Sequence, residues 1–204
     1  YLGLETDYLP GPGGTSRLSW TGDGLDYAIG SMHAVRREDG TYREIDGPEE
    51  MYRDILANDF GGDPRRLVEH YYRCLAELAV VHHPTVLGHF DLVKKNNPGE
   101  KYFRESEDWY RRAVREIVPA VASSGVIVEV NTGGLARGRT AETYPAPWIL
   151  HALHDADVPI MLNSDAHAPE QLDAFYPEAR AVIRDAGYRE VRVLRNGGWE
   201  TVPV

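Results

Sequence analysis

Five short apolar runs in this chain each stop at side chains able to bind a metal ion or a phosphate. The last, Ile160 to Leu162, runs into Asn163, Ser164, Asp165 and His167. Asp165 and His167 are two residues apart, so in extended backbone they point the same way, a carboxylate beside an imidazole. That spacing recurs. The run VLGHFD ends on His89 and Asp91, VIVEVN puts Glu129 and Asn131 on one face, and Glu5 and Asp7 close the first run. LDYAIGSMH ends on His33. Carboxylates mixed with imidazoles suit zinc, manganese or iron, whereas magnesium and calcium prefer oxygen ligands alone. Polar residues scattered at random would also fall in mid-helix and at the amino ends of strands, but these gather at carboxyl ends.

Side chains placed this way need parallel strands, because in an α/β barrel the carboxyl ends converge on one mouth. The intervening segments read as helices. Pro48, Glu49 and Glu50 start a short one through MYRDILAN. Asp63-Pro64 starts another, as N-cap and first helical residue, running to about His82 with apolar Leu67, Tyr71, Cys74, Leu75 and Leu78. Ser106 is the expected cap of a long helix bearing Trp109, Val114, Ile117, Val118 and Val121, with Pro119 as a kink and Gly125 as its end. Further helices are predicted from about Ala146 to Ala156 and from Pro177 to Asp185, before a final run VRVL. The stretch VRREDGTYREIDG predicts a hairpin or excursion over the strand ends. Strand and helix in alternation mean parallel βαβ units.

With 204 residues, 42% hydrophobic and 26% charged, the composition is that of one globular domain over residues 1–204. A net charge of −10 argues against a nucleic-acid partner and against an anionic membrane surface, both of which need a basic face. A small anionic substrate stays compatible, since local cations or a metal outweigh the global field. The single cysteine, Cys74, precludes an internal disulfide and fits a cytoplasmic location. No apolar run is long enough to span a bilayer.

Together GLETDYLPG, DYAIGSMH, LGHFDLVKK, EVNTGG and NSDAH resemble, in this order, the motifs of histidinol-phosphate phosphatases of the polymerase-and-histidinol-phosphatase (PHP) superfamily. The resemblance covers essentially the whole chain. It implies a distorted (β/α)₇ barrel with a metal centre of two or three divalent ions (Zn, Mn or Fe) at its carboxyl mouth. It implies Glu5 as a metal-bridging carboxylate and His33, His89, Asp165 and His167 as metal ligands. Family members open with a strand bearing a His-x-His pair, and a further histidine precedes the Gly-x-Glu motif represented here by Gly3-Leu4-Glu5. None of this precedes Tyr1, so the expectation is a barrel lacking about its first two strands and several ligands.

The implied reaction is hydrolysis of L-histidinol phosphate, a small phosphomonoester, to L-histidinol and phosphate in histidine biosynthesis. Asp165, His167 and Arg137 are the expected catalytic residues. The mouth loops supply the cations Lys94, Lys95, Arg137 and Arg139. Arg137 is the preferred phosphate clamp because a guanidinium binds two phosphate oxygens at once, with Lys94, Lys95 and Asn131 beside it. Asp7 and Asp91 are expected to orient ligand histidines. Glu129 facing the interior would need a partner such as lysine or arginine. Trp20 and Tyr27 are placed near the mouth as loop anchors or substrate contacts. His151 and His154, three apart on an outer helix, read as solvated, and His70, His82 and His83 as bystanders. Two other functions stay open: a superfamily phosphoesterase acting on nucleotides or oligonucleotide ends, and a non-catalytic remnant serving as an interaction module.

Overall fold

Runs rich in Val and Ile that are buried on both sides favour parallel pairing, and the centre of the structure is a five-stranded parallel sheet. The computed structural model describes residues 1–12, 14–15 and 24–204, so Trp20 lies outside the described residues. In chain order the elements are β1 (Gly3–Asp7), β2 (Tyr27–Ser31), the hairpin β3 (Ala34–Arg36) and β4 (Tyr42–Glu44), helices α1 (Glu49–Asp59) and α2 (Pro64–Glu77), and β5 (Val86–Leu87). Then follow α3 (Asp108–Ser124), β6 (Ile127–Asn131), a single turn α4 (Gly133–Ala136), α5 (Pro147–Asp155), β7 (Ile160–Asn163), α6 (Tyr176–Asp185) and the hairpin β8 (Glu190–Arg195) and β9 (Gly198–Pro203). The sheet order is β1-β2-β5-β6-β7.

The register sets which residues share a face. Glu5 pairs with Ile29, Ile29 with Val86, Val86 with Ile127, and Glu129 with Met161. Alternation then puts Glu5, Ser31, Glu129, Asn131 and Asn163 on one side of the sheet. The other side carries the main core, where Ala28, Leu87, Val128 and Val130 meet the buried faces of α2, α3 and α5. On the site side only a small cluster of Ile29, Val86 and Ile127 is covered, by Trp199 from β9 together with Tyr27 and Met161.

Several local expectations held. Asp63 caps α2 by accepting from the Arg65 amide at 2.9 Å, and Gly125 ends α3 in a left-handed conformation. The predicted hairpin is β3–β4. Others are corrected. The long helix is capped from Glu107, not Ser106, and the Glu107 carboxylate accepts the Arg104 amide at 3.2 Å. The helix after Asp63 does run to His82 as expected, its last turn, Leu78–His82, being π-helical. VLGHFD pairs as a strand only over Val86 and Leu87, because the His89 amide turns away to the Glu129 carboxylate. Tyr27 opens β2 at its amino end and packs edge-on against Trp199, with ring centroids 6.0 Å apart, away from the mouth.

The expected barrel is not closed among the described residues. β1 and β7 are the edges of an open sheet, and β8 pairs only with β9. Tyr1, Leu2 and Leu4 are exposed beside the β1 edge. No described helix is long and apolar enough to cross a membrane.

Removing the α2 cap with Asp63→Ala is expected to lower stability by about 1 kcal/mol without altering the sheet, measurable as a shifted denaturant midpoint with an unchanged slope.

Candidate metal centre and its cleft

Glu5 stands in the middle of β1, which aims its carboxylate across the end of β2. Its Oε1 accepts from the Ser31 hydroxyl at 2.6 Å and lies 3.1 Å from His89 Nε2. His33, two residues beyond β2, brings Nε2 to 3.0 Å from the same His89 nitrogen and 3.7 Å from Glu5 Oε1. One ligand atom from each of Glu5, His33 and His89 therefore lies within 4.8 Å of the others. Asp7 Oδ1 sits 2.6 Å from His33 Nδ1, which turns the other ring nitrogen toward the cluster, the arrangement by which an outer carboxylate fixes a metal-binding imidazole.

These donors fit a divalent cation of the zinc class. Two imidazole nitrogens face each other across 3.0 Å with a carboxylate oxygen beside them, and a single proton can bridge only one of these gaps. A cation among them engages all three. Electrostatics agree. Burial pushes the Glu5 carboxyl up, but hydrogen bonds and charge attraction from His89, with help from Ser31 and His33, outweigh it and bring it down to about 2. Burial pushes the His89 imidazole down, but Glu5, Glu129 and Asp165 prevail and raise it above its ordinary value.

The opposite wall comes from β7 and α4. Asp165 takes a left-handed backbone, φ 47°, which aspartate tolerates better than most residues. Arg137 grips it twice, Nη2 donating to Oδ2 and Nη1 to the backbone oxygen, both at 2.7 Å. His167 Nε2 lies 3.1 Å from Asp165 Oδ1 at the exposed rim. Glu5, His33, His89, Arg137, Asp165 and His167 line one cleft of about 330 Å³, with Asp46, Lys95, Arg139 and Tyr144 on the remaining walls. Glu5, His33 and His89 thus converge tightly, whereas Asp165 and His167 stand across the same cleft, outside the 4.8 Å group.

Beneath lies Glu129, 2% exposed. Its partners are not cations, as the sequence suggested, but the His89 amide at 2.8 Å, Asn131 Nδ2 at 3.0 Å and Asn163 Nδ2 at 2.5 Å. Burial nevertheless raises its pKa above the ordinary carboxylate value, although His89 and these donors pull it down. Asn131 is consequently not free to bind phosphate, since its amide serves Glu129 and its Oδ1 accepts the Gly133 amide at 2.7 Å.

Lys94 and Asp91 are also corrected. Asp91 does not reach a ligand histidine. It is fully buried, accepts the Ala146 amide at 2.9 Å and lies 2.8 Å from Lys94 Nζ. Lys94 is buried too, with Glu142 at 2.5 Å and Glu105 at 3.8 Å, so its charge is spent on three carboxylates. Lys95 does face the cleft, paired with Asp46 at 2.9 Å. His151 is exposed on α5, as expected, but His154 is half-buried, its ring edge-on against Tyr188 with centroids 5.0 Å apart. Ser31, Asp46 and Tyr144 escaped the sequence reading. Ser31 lies one register step from Glu5 on the shared face and was legible there, but nothing in spacing marks the other two.

No family model matches the chain. It is 32% identical over 196 residues to the "Probable histidinol-phosphatase" of Deinococcus radiodurans, 28% over 201 residues to that of Schizosaccharomyces pombe, and 29% over 172 residues to the histidinol-phosphatase of Bacillus subtilis. These alignments take in 93%, 96% and 81% of this chain, and the chain spans only 66%, 62% and 62% of the respective relatives. Among solved structures, one assigned as a histidinol phosphatase from Listeria monocytogenes superposes with a TM-score of 0.66 at 22% identity, over 76% of this chain and 58% of that one. The histidinol phosphate phosphatase of Lactococcus lactis, crystallised with zinc, L-histidinol and phosphate, gives 0.59 at 19%, over 86% and 62%. The fold is therefore a mixed α/β fold with a parallel sheet, of the kind these phosphatases have.

Two outcomes test this site. Lys94→Met strands Asp91 as an uncompensated buried charge and is expected to destabilise the protein by about 3–5 kcal/mol in denaturant titration, an effect a solvated phosphate-binding lysine would not produce. Metal binding needs neutral His89, so its raised pKa makes the apparent affinity fall with pH earlier than for an ordinary imidazole, with proton release on binding visible by calorimetry.

Proposed function

The chain belongs to the histidinol-phosphatase family of the PHP type, and from that premise we propose that it hydrolyses L-histidinol phosphate to L-histidinol and phosphate in histidine biosynthesis. The observation that carries this reading is the convergence of Glu5, His33 and His89 in one cleft with Arg137. We also assign two or three divalent ions, zinc, manganese or iron, to the centre. Glu5, His33 and His89 hold one, and Asp165 and His167 supply donors from the facing wall. Residues 1–204 form a single domain in this proposal. The distorted (β/α)₇ barrel is completed beyond the open edge of β1, a reading supported by the exposed Leu2 and Leu4 and by the thinly covered site face of the sheet.

Phosphate monoester hydrolysis is among the slowest uncatalysed reactions, so the site must mainly stabilise charge and position an attacking water. Divalent ions, when bound, lower the pKa of that water and take up charge on the phosphoryl oxygens. The protein groups do the rest. Asp7 fixes the ring of His33, and Ser31 holds the Glu5 carboxylate in one orientation. Arg137 spends one hydrogen on each terminal nitrogen in holding Asp165, and its remaining N–H groups, in the cleft, are the ones that meet phosphoryl oxygens. Lys95 and Arg139 add positive charge along the walls and draw a small anion into an otherwise acidic protein. The cleft of about 330 Å³ suits a small phosphomonoester.

The deciding experiment measures metal content and phosphate release from histidinol phosphate in the full natural chain. His89→Ala and Asp165→Ala are expected to lower kcat/KM by more than the roughly 10–100-fold typical of losing an outer partner, with metal lost in parallel. Metal uptake without phosphate release would defeat the substrate assignment and leave the family standing; absence of metal would defeat the mechanism.

A further inference from the structure

Tyr144 is 3% exposed, yet its hydroxyl is buried without a hydrogen-bond partner among the described residues. A buried orphan of this kind is uncommon and points to a missing ligand or water. The rest of the residue is held firmly. Its backbone exchanges two hydrogen bonds with Asn131 at the end of β6, at 2.7 and 3.1 Å. Its ring lies over Gly134, where an added Cβ would come within 2.7 Å of Cε2, and Lys94 Nζ sits 5.7 Å from the ring centroid. Tyr144 lines the same cleft as Glu5, His33, His89, Arg137 and Asp165. A rigid donor with no acceptor among the described residues, on a residue that lines the cleft beside Arg137, is preorganised for an oxygen of the ligand.

We propose that the Tyr144 hydroxyl donates a hydrogen bond to a non-bridging oxygen of the bound phosphoryl group, alongside Arg137. The proposal rests on the phosphatase reading above and adds a substrate-contacting residue to it. Its chemistry suits the place. Burial and the negative charge of Asp91 push the phenol far above its ordinary pKa, although Arg137 pulls the other way, so the group stays protonated as a donor. No proton is transferred; the hydroxyl holds the phosphoryl oxygen and does not enter the balance of the reaction.

The test compares Tyr144→Phe with the wild type as full-length, metal-loaded proteins. It reads inorganic phosphate affinity by calorimetry, kcat and KM for histidinol phosphate, and the thermal midpoint. The expected result is phosphate affinity about tenfold weaker and kcat/KM down about 10–100-fold, with the midpoint unchanged or raised, because Phe removes an unsatisfied buried hydroxyl. Unchanged phosphate affinity in the folded, metal-replete variant overturns the proposal, whatever its midpoint. Should Phe not fold, 3-fluorotyrosine at 144 takes its place: a ¹⁹F resonance that shifts on adding phosphate supports the contact, and one indifferent to saturating phosphate overturns it. A wild type that binds phosphate without hydrolysing histidinol phosphate sinks the substrate reading alone. A wild type that does neither sinks both.

Discussion

A buried carboxylate with no cation beside it dominates the carboxyl end of the sheet. Removing an ion like Glu129 from water is unfavourable by several kcal/mol unless donors surround it. Here the donors come from three neighbouring strands: the His89 amide after β5, Asn131 at the end of β6 and Asn163 at the end of β7. That demand aligns the strand ends. It also draws the chain after β5 out of the ladder, which is how His89 comes to turn toward Glu5 and His33. Once Asn131 is committed to Glu129, its oxygen anchors the Gly133 amide, and the short α4 turn delivers Arg137 to Asp165. The metal-binding atoms stand on a floor whose geometry is set by the need to satisfy one charge.

Cations are divided between structure and site by the same reasoning. Lys94 and Lys95 are adjacent, yet one is locked among Asp91, Glu105 and Glu142 while the other reaches the cleft. The tight turn over Leu92–Lys94 sends neighbouring side chains in different directions. Lys94 then ties the strand end at Asp91 to the loop at Glu142, and that loop carries Tyr144. Burial keeps the Asp91 carboxyl raised in pKa despite the lysine and the Ala146 amide, with a smaller push from Glu142. This cluster therefore works as a clamp on the mouth and contributes little positive charge to it.

Much of the site could be read from period-two spacing, and the failures have a common cause. Glu5 and His33 were legible because β1 and β2 pair in register up to Ser31, which also brings Asp7 beside His33, whereas His89, two residues past the last paired residue of β5, is turned in by the bond of its amide to Glu129. Asp91 has the same spacing from His89 that Asp7 has from Glu5, but β5 pairs only through Leu87. Beyond that point alternation no longer governs direction, and Asp91 turns into the core. Glu129 was correctly placed facing inward while its partners were mistaken, since amide donors leave no charge pattern in the sequence. The parallel order was legible from strand and helix alternation. Barrel closure was not, because it depends on what lies against β1, an edge that the described residues leave unpaired.

The glycines of EVNTGG show how a short motif can be spatial and not chemical. Glycines beside a strand end commonly suggest a phosphate cradle, but here α4 is a single turn and its glycines make room for side chains. A Cβ on Gly133 would come within 2.7 Å of Arg137 and 2.8 Å of Asp165, so this position must be bare for the ion pair to lie against the backbone. A Cβ on Gly134 would strike Thr140 and Tyr144, each at 2.7 Å. Asn131, three residues before Gly134, pairs with the Tyr144 backbone while its side chain supports Glu129. Four successive residues thus fix the floor and two walls of the cleft, by one hydrogen-bonding amide and two absent methyl groups. Changing Gly134 would move a wall and changing Gly133 would press on Asp165 and Arg137, which is why the motif is so restrictive although none of its residues belongs to the convergent metal-binding group.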